Sequence, residues 1–244
     1  MARLVYDLGP AARDLIRDLR RDPNLLVLYV FNERGSTYVY DRCSRNRLNL
    51  TQSGGVTFGG TLGSMRCVTL DGSNDYLSAG NQSALDVLHS TSVSYLAIAQ
   101  QDAGTTGILA SKFDSGADKG HAFYILNSAK TFYVLKSGTG AAIEVVSSSG
   151  RSTGVPYMLG VAYGGTSAAS GVAAYVNGAV DTLTVSTDSI GTATANTAAF
   201  CVGASDPGKS GGTYFPGKVS LFAMFDAKKT ATDYKRWASL GRYL

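Results

Sequence analysis

The stretch PYMLGVAYGGTSAASGVAAYVNGAVD, residues 156–181, decides the fold. Asn177 and Gly178 sit between two β-type runs, 171–176 and 182–187. Both residue types tolerate the positive φ that a two-residue type I′ turn demands at its centre, so the pair reads as the tip of a β-hairpin. Upstream, 155–163 is another apolar and aromatic run, closed by Gly164 and Gly165. Consecutive strands joined by tight turns, with no helix between them, pair antiparallel.

The same pattern extends in both directions. Strand-like runs fall at 25–30, 37–41, 56–58, 67–70, 76–79, 93–100, 107–111, 122–127, 131–136, 141–147, 199–203 and 215–225, with glycine pairs and Asp71-Gly72 as punctuation. About fifteen short strands predict an all-β fold, an antiparallel β-sandwich of jelly-roll type. Composition agrees. Glycine accounts for 29 of 244 residues and charged residues for only 16%, which argues against disorder and coiled coil. No apolar run is long enough to insert in a membrane.

Helical spacing appears only at the two ends. Pro10 suits the first position of a helix, and Ala12, Leu15, Ile16 and Leu19 then share one face until Pro23. The other face alternates Arg and Asp, with Asp14–Arg17 and Asp18–Arg21 at i,i+3. Near the carboxyl end, Thr230 and Asp233 have capping-box spacing, and Trp237 and Leu240 follow on one face.

The predicted organisation is an arm and attachment element at 1–24, outside the core, before a sandwich at 25–244. The arm's partner-binding residues are Arg13, Leu15, Ile16, Arg17, Leu19, Arg20 and Arg21. The apolar ones would cover a neighbour's surface, and the arginines would meet its carboxylates. The alternative folds the same stripe back on its own sandwich. Nine of thirteen arginines lie in the first fifty residues, but Asp7, Asp14, Asp18 and Asp22 lie among them and largely cancel their charge. Nucleic acid is therefore not the expected partner.

Motifs for chemistry are few. GASDPGKS (203–210) satisfies the phosphate-loop pattern, yet GGTYFP follows where a helix should start, so it reads as a loop between strands. Only two glutamates occur, Glu33 and Glu144, and neither has an acidic neighbour at the spacing that glycoside hydrolysis on such sandwiches uses. Neither His89 nor His121 has a nucleophile or metal-ligand context. Cys43, Cys67 and Cys201 form no zinc or disulfide pattern. No enzyme is expected. DGSNDY (71–76) is a dense oxygen cluster from which Asp71, Asn74 and Asp75 could hold Ca2+, the one cofactor considered; ordinary turn chemistry explains the same residues and is the preferred reading. The segment 114–118 is a lesser candidate of the same kind.

Several segments, in order, resemble the laminin-G-type jelly roll of the concanavalin A-like lectin and glucanase superfamily, as found in bacteriophage virion proteins. These are LVLYVFNERGSTYVYDRCSRNR (26–47), CVTLDGSNDYLSAG (67–80), YVNG (175–178), AAFCVGA (198–204) and FPGKVSLFAMFDAKKTATDYKRW (215–237). The resemblance implies a non-catalytic binding or adhesion module. The first residues lack the apolar core of a signal peptide. The expected protein is therefore a structural, decoration or adhesion component of the virion of a tailed bacteriophage, on its head, tail or fibre, made in the host cytoplasm. Its expected partners are other virion proteins, further copies of itself, and host surface glycans. The runner-up is a glycan-binding lectin module of a cell-surface or secreted protein.

Overall fold

The computed structural model describes residues 9–33, 37–43, 45–128, 130–205 and 212–241. Helix α1 (Pro10–Arg20) comes first, followed by β1 (Leu25–Val30), β2 (Tyr38–Val39), β3 (Leu50–Ser53), β4 (Thr57–Leu62), β5 (Met65–Asp71) and β6 (Tyr76–Gly80). A 3-10 turn at Ser83–Leu85 leads to β7 (Ser92–Gln101), β8 (Gly107–Asp114), β9 (Lys119–Ile125), β10 (Thr131–Gly138), β11 (Ala141–Ser147) and β12 (Tyr157–Gly164). Then come β13 (Val172–Val176), β14 (Ala179–Asp181), β15 (Leu183–Asp188), β16 (Phe200–Val202), β17 (Pro216–Phe225) and α2 (Ala231–Leu240).

All the strand pairs are antiparallel and form two sheets. One runs β14-β13-β12-β7-β17-β5-β4, with β1 also on β17; the other runs β15-β11-β10-β9-β8-β16-β6-β3-β2. Strand β17 organises the first sheet. Its whole length lies along β7, while on its other side β5 takes 216–219 and β1 takes 221–225. The predicted β-sandwich is the fold observed. The hairpin tip is there too, with Asn177 at φ 50° and Gly178 at φ 81°, but its second arm is β14, and the run at 182–187 that the sequence offered as that arm crosses to the other sheet as β15. The sequence runs do not include β3 or β14, because LTQS carries no apolar alternation and AVD is only three residues long.

Between the sheets lies an aromatic interior. Tyr29 stacks on Phe222 at 6.4 Å, and Tyr95 touches Phe123, Tyr133 and Phe222 within 6.3 Å. The eight-stranded sheet buries its other face as well. Leu28, Val30, Leu96, Ile98, Leu221, Ala223 and Phe225 form a second core with Ala12, Leu15 and Leu19 of α1 and with Tyr234 and Trp237 of α2. A strand covered on both sides needs no alternation, so VSLFAMF reads as one apolar run. Gly160 allows α2 to sit this close: a Cβ there would come within 2.1 Å of the Tyr234 ring. The Tyr234 hydroxyl lies 2.7 Å from the Tyr95 carbonyl and 3.0 Å from that of Val161. The Trp237 ring stacks on Phe225 at 5.1 Å.

This packing corrects the expected boundary at residue 24. Helix α1 is not outside the core; three of its side chains are fully enclosed by the molecule's own second core. A helix of about eleven residues is marginal alone, and here its apolar stripe finds the sheet behind it.

Candidate functional site

The seven predicted partner-binding residues divide in two. Leu15 and Leu19 are buried within the molecule and touch no outside surface, which corrects their assignment. Arg13, Ile16, Arg17, Arg20 and Arg21 instead line a surface groove of about 420 Å³ with Val30 and Arg42. Ile16 and Val30 contribute apolar surface, and five guanidinium groups surround it.

The aspartates do not cancel these arginines as the sequence implied. At 100° per residue, positions 13, 17, 20 and 21 share one face of the helix, 14, 18 and 22 another, and 12, 15 and 19 a third. Asp18 accepts from Arg236 Nε and Trp237 Nε1, each at 3.0 Å, and the predicted Asp18–Arg21 pair is absent. Asp22 accepts two 2.7 Å bonds from the nearly buried Lys229. Asp14 turns toward the arginines, 2.7 Å from Arg17. Among the described residues, Arg20 and Arg21 make no ion pair.

Arg42 enters the groove from the strand side. Glu33 holds it at 2.8 Å and Asn32 at 3.2 Å. Burial pushes the Glu33 carboxyl above its usual range, against the lowering effects of the Tyr40 amide and Arg42. Neither Val30 nor Arg42 could be assigned to the site from sequence, since nothing local marks a residue that tertiary pairing brings beside a helix.

A second cleft, about 470 Å³, opens at the sandwich rim where the chain crosses from β6 to β7. Arg45, Asn46, Ser83, Asp86, Thr91, Ser92 and Asp226 supply polar groups, and Leu26, Val87, Val93 and Met224 the apolar wall. Arg45 and Asp226 pair at 2.6 Å across it. Asp86 is held from within by Lys112, which is fully buried, 2.8 Å away, and donates to the Asn196 carbonyl at 2.8 Å. His121 lies across the strand pair from Lys112. Its Nε2 is 2.9 Å from the Leu85 carbonyl and its Nδ1 2.7 Å from the Tyr95 hydroxyl, so Nε2 carries the proton. Burial lowers the His121 pKa to about 4; the Leu85 bond opposes this, and Lys112 adds to it. The imidazole is a structural one, as its lack of motif context indicated.

The carboxylates of the DGSNDY turn are occupied by backbone. Asp71 Oδ1 accepts from the amides of Ser73, Asn74 and Asp75 at 2.8–3.3 Å. These bonds, that of Ser73 foremost, hold the Asp71 carboxyl below its usual range. Asp75, 4% exposed, accepts from the amides of Gly55 and Asp71. The geometry of Asp71, Asn74 and Asp75 is that of a turn pinned from both ends. Among the described residues no three His, Cys, Asp or Glu side chains gather as a metal site would need. Asp114 likewise accepts from the amides of Gly116 and Ala117.

Lys209 and Ser210 of the phosphate-loop pattern lie outside the described residues. The chain leaves β16, forms a bridge between Ala204 and Tyr214, and enters β17, a strand where a nucleotide site would need a helix. All three cysteines are buried thiols outside any disulfide.

No protein-family model matches the chain, and no curated protein does. Solved structures do. The binding domain of Paraclostridial Mosquitocidal Protein 1 aligns with a TM-score of 0.64 at 12% identity over 88% of this chain and 52% of that one. A type C botulinum neurotoxin structure, described by cell entry dependent upon interaction with two ganglioside molecules, aligns at 0.63 and 10% identity over 92% and 53%. A Trypanosoma rangeli sialidase in complex with sialic acid aligns at 0.60 and 9% identity over 92% and 34%. At such identities the likeness is one of fold: the chain is a β-sandwich that spans about half the length of the toxin chains it matches and about a third of the sialidase chain.

Proposed function

We propose that this protein is a non-catalytic binding module, a decoration or adhesion component of a tailed-bacteriophage virion that holds a host-surface glycan in its rim cleft. The observation that carries the glycan reading is the lining of that cleft. Sugar hydroxyls are donors and acceptors at once, and the cleft offers both, from Asn46, Ser83, Thr91, Arg45, Asp86 and Asp226, beside an apolar wall. Among the described residues that line the cleft none is aromatic, so hydrogen bonds do most of the recognition. Affinity per site is then modest, and several copies on one particle would raise it.

The ganglioside and sialic acid named for the structural neighbours support a sugar ligand. The virion setting rests on the sequence resemblance. A lectin module of a cell-surface protein uses the same cleft and differs only in where the module resides.

The test is a glycan array with the multimeric protein, with and without a calcium chelator, beside the variant Ala84→Trp, which fills the cleft from an exposed position. Chelator-independent binding to a defined glycan, lost in the variant, is expected. Signal that survives the tryptophan moves the site elsewhere. Co-purification with intact virions decides the setting.

A further inference from the structure

We propose that the arginine groove between α1 and β1 is a docking site for an extended acidic segment of a partner polypeptide, with carboxylates at alternate positions and apolar residues between them. The proposal concerns a different face from the rim cleft and stands or falls separately.

Charge is the first argument. Arg13, Arg17, Arg20, Arg21 and Arg42 surround one groove; Arg17 pairs with Asp14 and Arg42 with Glu33, while Asp18 and Asp22 are drawn away to Arg236, Trp237 and Lys229, which leaves Arg20 and Arg21 without an ion pair among the described residues. The fold thus separates an alternating Arg/Asp sequence into a cationic face and an internally neutralised one. A face of this sign attracts anions, and guanidinium forks bind carboxylates bidentately.

Spacing is the second. Arg13 to Arg21 spans about 12 Å at 1.5 Å per residue, with Arg13, Arg17 and the Arg20–Arg21 pair about one turn, 5.4 Å, apart. An extended peptide places every second side chain on one face at about 6.6 Å intervals. Two or three alternating carboxylates therefore match the stripe, and a single acidic sugar would leave most of it unused.

The lining decides among polyanions. Ile16 and Val30 give the groove apolar surface that intervening apolar side chains can cover, whereas a phosphate backbone has no use for it. Among the described residues, no aromatic ring lines the groove to stack a base, and no acceptor side chain lines it to serve sugar hydroxyls. Arg42, anchored by Glu33 and Asn32, is pre-positioned, so little freedom is lost there on binding.

The experiment is fluorescence anisotropy on the full chain with a labelled peptide of alternating glutamate and valine. A glutamine–valine peptide and an oligothymidylate serve as comparisons. We expect saturable binding of the acidic peptide, weakened about tenfold or more by the double variant Arg20→Glu/Arg21→Glu and unchanged by Arg45→Glu at the rim. Ile16→Asp should weaken it as well. Both arginines are exposed, and a circular dichroism spectrum matching the parent's confirms that the double variant folds. Tighter binding of the oligothymidylate, equal binding of the glutamine peptide, equal loss in Arg45→Glu, or no saturable binding of the acidic peptide would each overturn the proposal.

Discussion

The indole N–H of Trp237 donates to the carboxylate of Asp18 across 3.0 Å, joining the last helix to the first. Trp237 is wholly buried, and its ring stacks on Phe225 of the central strand. One carboxylate thus satisfies a donor at the edge of the second core and is withdrawn from the arginine face of its own helix. Packing and surface charge are set by the same contact.

Asp18→Leu should cost roughly 1–2 kcal/mol by leaving the indole donor unpaired at the core edge. Asp18→Asn keeps an acceptor for the indole and should recover most of that loss, although the Arg236 pair goes with the charge. Urea midpoints of the two variants check this; equal losses would mean that the bond to Trp237 contributes nothing.

Leu15→Ala and Ile16→Ala, adjacent on α1, should differ sharply. Leu15 is fully enclosed in the second core, and its truncation should cost about 3 kcal/mol. Ile16 faces the groove, is only partly buried, and should cost under about 1 kcal/mol. Equal, small losses in chemical denaturation would show that α1 detaches in solution and restore the free arm that the sequence predicted.

His121 makes stability fall in mild acid. Its folded pKa is about 4 against an unfolded 6.5, so between these values the unfolded chain binds more protons and stability declines as pH falls. The full effect, reached below pH 4, is on the order of 3 kcal/mol. Glu33 and Asp41, whose carboxyls burial raises, work in the opposite direction, so the measurement is a difference. Denaturation free energies of the parent and His121→Gln should diverge between pH 7 and 4, the variant losing less. Parallel curves would mean that the imidazole is protonated in the fold.

Asp75→Ala should lower stability by roughly 1–2 kcal/mol, because the amides of Gly55 and Asp71 lose the buried carboxylate that accepts from both. Calcium chloride and a chelator should each leave the parent's Tm unmoved. A calcium-dependent rise in Tm that is absent from Asp75→Ala would bring back the metal reading.

Much of this architecture is written locally. The Asn177–Gly178 turn, the apolar run of β17, the Thr230–Asp233 capping box and the stop at Pro23 each depend on residues within a few positions of one another. Backbone sterics and side-chain capping act at that range. Strand β3 escaped because LTQS pairs through its backbone and has no apolar face to announce it. The arginine site was half legible. Helical spacing placed Arg13, Arg17, Arg20 and Arg21 on the polar side of α1, but set Ile16 with the apolar stripe and could not say which aspartates would remain beside the arginines. Leu15 and Leu19 were visible as an apolar stripe, without the surface that the stripe would cover.

The sequence by itself determined an antiparallel β-sandwich with a helix at each end, through period-two alternation, turn residues and caps, all short-range physics. Only the tertiary structure decided that α1 and α2 share one sheet face, that Asp18 and Asp22 neutralise Arg236 and Lys229 from the distant carboxyl end, and that Arg42 completes a groove with a helix more than twenty residues away. Pairings of this kind depend on which surfaces meet after collapse. Coulomb attraction is indifferent to chain order, so a charge pattern balanced along the chain emerges from folding as one basic face and one neutral one.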